Sequence, residues 1–186
     1  TYIVGSLMYF QRTVVVAGAM QGTAQRAAFF ATVYSASGAC VGVLQLLATG
    51  WLLRTLGVTL ALSIMPLFCA AAMAYVGLHS DTNVVAGVEV MRKVMVYTLV
   101  RPAREMLFTV LTRDEKYRAK LTIDTVVQRA GDVLAAGLFQ VLNVQLRMGM
   151  TGIVVAGVGA CLLWGGTAVG LGRKYYWQKQ LGSIGQ

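Results

Sequence analysis

Within the segment GVEVMRKVMVYTLVRPARE, Glu89, Lys93, Tyr97, Arg101 and Glu105 recur at intervals of four residues. On a helix this spacing places charge and hydroxyl along one slowly drifting stripe and leaves Val, Met and Leu on the other side. Arg104 lies beside the stripe, and after a short charged stretch Asp124, Gln128 and Asp132 repeat the interval, with Arg129 next to them. Two chemistries suit such a pattern. In one, a cationic wall contacts an anionic solute, with Lys93 and Arg101 as donors. In the other, the stripe forms an internal ion-pair network with Asp124 and Asp132 that fixes helix packing, which the near match of acids and bases favours.

Other chemistry finds no footing in the sequence. There is no nucleophile beside a base, no phosphate-binding glycine loop and no metal constellation, so neither an enzyme nor a cofactor is expected. Cys40, Cys69 and Cys161 each lie inside an apolar run with no CxxC, and read as small packing residues. His79 stands alone beside Asp81. Met91, Met95 and Met106 have no clustering at ligand spacing and read as packing residues.

The elements that position the stripe are membrane helices. Of the 186 residues, 57% are hydrophobic and 12% charged, with a mean hydropathy of +0.66. A soluble domain carries about a quarter charged residues. The net charge of +9 comes from basic residues at the ends of apolar runs, with no continuous basic patch, which argues against nucleic acid and for membrane topology. The expected fold is therefore all-α, a polytopic membrane helix bundle in one transmembrane domain, with the lipid bilayer as its first partner. Full spans are expected at 27–53, 58–77, 84–110, 119–146 and 149–171. Residues 1–26 read as a partial helix followed by a connection, and 172–186 as a basic, aromatic interfacial tail. The start at Thr1, with no signal-like segment, fits a processed chain or one lacking an N-terminal portion.

Local features refine this layout. Ser35, Ser37, Gly38, Ala39 and Gly42 would admit a close neighbour in the first span, and Pro66 would bend the second. Pro102 is expected to kink the third span near its end. The stretch TRDEKYRAK reads as a compact loop, with Thr112 and Glu115 as a capping box for the next helix. That loop is expected to be a solvated turn; its alternative is a gating latch in which Arg113, Asp114 and Glu115 meet the turn carrying Arg54. Basic flanks place Arg54, Arg113, Lys116, Arg118, Lys120 and the tail on the cytoplasmic, matrix or stromal side.

The run RPAREMLFTVLTRDEKYRAKLTIDTVVQRAGD resembles the segment joining the tenth and eleventh helices of the ATP/ADP antiporter-like branch of the major facilitator superfamily. YFQ near the start and TGWLLRTLG at 49–57 are weaker landmarks of the same kind. The resemblance covers nearly the whole chain but only the C-terminal half of such a transporter. It implies half of a major facilitator fold, five full helices plus a partial one, and therefore one wall of a path formed between two halves. Arg101, Arg104 and Glu105 match RPARE, and Asp124, Arg129 and Asp132 match the I-D-T-x-x-x-R-x-G-D run. Two functions follow as expectations. One is an accessory, structural subunit of a larger membrane complex in an organelle (plastid or mitochondrion) or a bacterial inner membrane. The other is half of a carrier for nucleotides or another anionic solute, completed by a second transporter half or a dimer.

Overall fold

The computed structural model describes residues 2–110 and 113–184, with side chains placed except at 110, 113, 144, 175, 176 and 178–184. Every regular element among the described residues is helical: α1 (Tyr2–Ala19), α2 (Thr23–Leu47), α3 (Thr49–His79), α4 (Thr82–Met95), α5 (Arg101–Leu107), α6 (Arg113–Thr122), α7 (Gln128–Gln140) and α8 (Gly149–Ile184). Wider π-helical turns at Val96–Val100, Ile123–Val127 and Val141–Gln145 join α4 to α5, join α6 to α7 and extend α7. Three helices are long and apolar enough to cross a membrane: α2, α3 and residues Gly149–Lys174 of α8. Their exposed apolar side chains, among them Leu46, Leu78 and Leu163, are at home against lipid or another apolar partner.

Several sequence boundaries need correction. The expected stub and connection at 1–26 is an 18-residue helix reaching Ala19. Gln11 and Arg12, which interrupt the apolar run, do not end it because both turn inward. Gln11 is buried and its Nε2 donates to the Met73 carbonyl at 2.9 Å. The turn expected over Arg54–Gly57 narrows to Gly57 alone, whose φ of 70° and ψ of 167° suit glycine, while α2 ends at Leu47 and Arg54 remains helical. The charged stretch from Arg113 is α6 rather than a loop. Its first turn carries Asp114 and Glu115 and its last turn Lys120, the arrangement that complements the helix dipole. Thr112 of the anticipated capping box lies outside the described residues. The tail is helical too, since α8 continues to Ile184.

The main core gathers Leu7 and Met8 of α1, Met65, Cys69 and Met73 of α3, and Ile153 and Cys161 of α8. Cys69 and Cys161 thus pack as expected, whereas Cys40 is exposed. The seam between α3 and α8 depends on missing side chains, because association of apolar helices rests on close packing. A Cβ on Gly172 would come within 2.7 Å of Thr59 Cβ, and one on Gly77 within 2.6 Å of a Val154 methyl. Gly159 on the same α8 helix has nothing within 4 Å. Gly172→Ala should therefore destabilise the bundle by about 1–3 kcal/mol through overpacking. Gly159→Ala should stabilise it by up to about 1 kcal/mol through helix propensity. Unfolding in detergent, followed by circular dichroism, checks both signs.

Candidate functional site

α1 carries Tyr2, Ser6 and Tyr9 on one helical face, with Arg12 one turn further on; Tyr2 reaches α5 and the Ile123–Val127 turn, Ser6 reaches α7, and Arg12 reaches α4 and α2. Arg12 Nη1 meets Glu89 Oε1 at 2.8 Å. From the other side Arg92, three residues along α4, binds the same carboxylate with two nitrogens, at 2.8 and 3.1 Å. Glu89 is only 5% exposed, so this double clamp provides the compensation a carboxylate needs in an apolar bundle. Arg12 is itself set among aromatic rings. Its guanidinium lies 4.9 Å from the Tyr9 centroid and 5.1 Å from that of Phe30, and it donates to Tyr34 Oη at 3.0 Å.

The four-residue stripe continues beyond the clamp, and the π turn explains why it holds together. Four residues overshoot an α-helical turn of 3.6, so the stripe would drift by about 40° per step. The wider turn at Val96–Val100 rotates less per residue and offsets that drift. The turn also suits Pro102, whose ring and missing N–H disturb the preceding α-helical ladder; Arg101 N–H bonds to the Val96 carbonyl, five residues back. The kink expected from Pro102 is thus expressed as a change of helical pitch.

Lys93 and Arg101 rest on aromatic faces. Lys93 Nζ is 3.5 Å from the Tyr34 centroid and Arg101 lies 4.2 Å from the Tyr97 centroid. Among the described residues neither has a carboxylate partner. Arg104 pairs with Asp124 at 3.6 Å, and Tyr2 Oη ties the two, accepting from Arg104 and donating to Asp124, each at 3.3 Å. Glu105 pairs with Lys120 at 3.0 Å. Asp124 is thus paired with Arg104, which lies beside the four-residue stripe and not on it. Asp132 instead accepts a hydrogen bond from Ser6 Oγ at 2.7 Å. Arg129 is exposed, as are Arg54, Asp114 and Glu115, and the Arg113 side chain lies outside the described residues.

Three cavities open along this face. One of about 430 Å³ adjoins the clamp and is lined by Ser6, Arg12, Glu89, Arg92 and Asp132 among others. One of about 720 Å³ lies between the two π turns, against Tyr97, Arg101, Arg104 and Asp124. A smaller one of about 250 Å³ sits between Tyr34 and Lys93. No group of three or more His, Cys, Asp or Glu among the described residues could hold a metal.

Arg12, Tyr2, Ser6 and Tyr34 were not singled out by the sequence reading. A lone arginine in an apolar run and polar residues spaced by four and three on α1 were the available signals. Comparison with family models, with characterised proteins and with solved structures gives no match to this chain. Fold and site together define an all-helical protein with apolar helices of membrane-spanning length around a polar, cation-rich groove.

Removing the clamped carboxylate leaves the partly buried Arg12 and Arg92 side by side without compensation. Glu89→Ala should lower stability by about 3–5 kcal/mol. Asp132→Asn, which weakens one hydrogen bond, should cost about 0.5–1.5 kcal/mol. Denaturation of both variants in the same detergent measures the contrast.

Proposed function

We propose that this chain is an integral membrane protein derived from the C-terminal half of an ATP/ADP antiporter-like transporter and serving as a structural, accessory subunit of a larger membrane complex. In this reading the helices α4–α5 and α6–α7 also cross the bilayer, giving five full spans with α1 as a partial sixth. Internal pairing supports it: Glu89, Glu105 and Asp124 each have a basic partner within the chain, so their charge serves helix packing. Such charges are tolerated in spanning helices when they pair or line water. The membrane is organellar, in a plastid or mitochondrion, or a bacterial inner membrane.

A second reading has its own observation. Lys93 and Arg101 are held on aromatic rings rather than by carboxylates, which leaves them available to an anionic solute such as a nucleotide. The chain would then be half of a carrier, completed by a second half or by another copy, with the path at their interface.

Mild-detergent extraction from the source membrane, a native gel and mass spectrometry of the band separate the two. Co-migration with a stoichiometric set of other subunits, in a complex several times the 19.9 kDa of this chain, is the expected result. A small particle holding one further transporter half, or a homodimer, would overturn the subunit reading. In that case Lys93→Ala and Arg101→Ala should abolish exchange in liposomes.

A further inference from the structure

Two of the cavities meet at one residue. The ring of Tyr97 lines both the 250 Å³ space beside Tyr34 and Lys93 and the 720 Å³ space beside Arg101. On the α2 side, Val41 borders the first and Gln45, one turn further along the helix, borders the second. The groove between α2 and α4–α5 therefore has a cation at each end and Tyr97 in its middle. Lys93 and Arg101 are eight residues apart, or about 12 Å along a helix rising 1.5 Å per residue. Both line the groove, Lys93 at the smaller cavity and Arg101 at the larger, on either side of the π turn.

Charge balance narrows the occupant. Across the three cavities six basic side chains face four carboxylates, so two positive charges are left over. Arg104 and Lys120 each have a carboxylate of their own, and Arg12 and Arg92 share Glu89 with Asp132 lining the same cavity, which leaves Lys93 and Arg101 as the cations of this set with no carboxylate within 4 Å. Where α4–α5 crosses the bilayer, as proposed above, an unneutralised cation costs about 2.5–3.5 kcal/mol at the bilayer centre on insertion scales, so these two must meet water or an anion.

We infer that this groove is a binding site for an elongated organic dianion, one acidic group on Lys93, the other on Arg101, and an apolar middle against Tyr97 and Val41. The inference rests on the proposed membrane placement of α4–α5 and deepens the anion-binding reading of Lys93 and Arg101, but binding on the purified chain is measured separately from subunit association and from exchange in liposomes.

Isothermal titration of the detergent-purified protein with hexanedioate, decanedioate and hexadecanedioate tests the length, with decanoate and inorganic phosphate testing the need for two separated charges. Decanedioate, whose extended carboxylates span a length similar to the Lys93–Arg101 separation, should bind about tenfold tighter than any other probe. Lys93→Met and Arg101→Met should each weaken it about tenfold, to the level of decanoate. Lys93→Arg and Arg101→Lys, which keep charge and fold, should retain most of the affinity. Absence of binding, equal affinity for decanoate or phosphate, or an affinity independent of chain length would each overturn the proposal. If a methionine variant fails to fold, the charge-conserving variants and the length series on the unaltered chain still decide it.

Discussion

A single buried carboxylate sets the register of the polar interior. Glu89 has too little exposure to be solvated by water, so the chain must bring charge to it, and the two arginines that do so come from different helices. Arg92 is local and costs nothing in chain closure. Arg12 is the distant partner, and its position requires α1 to run past the point where its apolar sequence is interrupted. Arg12 in turn needs Tyr9, Phe30 and Tyr34 around it, which draws α2 into the same arrangement. One acid thus fixes the mutual placement of α1, α2 and α4.

The apolar and polar halves of the bundle use different means of cohesion. Between α3 and α8 the helices approach over glycines, and contact is dispersion between closely spaced surfaces. Around the groove the helices are joined by long side chains: Arg104 through Tyr2 to Asp124, and Lys120 to Glu105.

How much of this was legible in the sequence depends on the range of the interaction. The all-helical class and the polar stripe follow from local composition and spacing, whereas the Glu105–Lys120 pair uses a residue that the sequence assigns to a charged turn. Arg12 gives no local sign of its role, because its partner lies 77 residues away and nothing near it in the sequence announces Glu89. α6 was read as a loop because its charge density suggests a turn, although Glu, Lys, Arg and Ala are also strong helix formers. Asp132 was expected to find a base and found Ser6, a residue whose role is invisible until α1 is known to be a helix. The π turns leave no plain signature beyond Pro102 and the persistence of a four-residue interval.

Those turns act as dislocations in otherwise regular rods. An extra residue per turn shifts the phase of everything that follows, so the segments before and after Val96–Val100 obey one helical period but with different origins. When the groove-facing positions are re-aimed, the outward-facing positions are re-aimed with them, at the same depth. The apolar surface of this helix is therefore two offset stripes rather than one, and any neighbour packing along its whole length, whether lipid or protein, must follow a step in the surface opposite the groove.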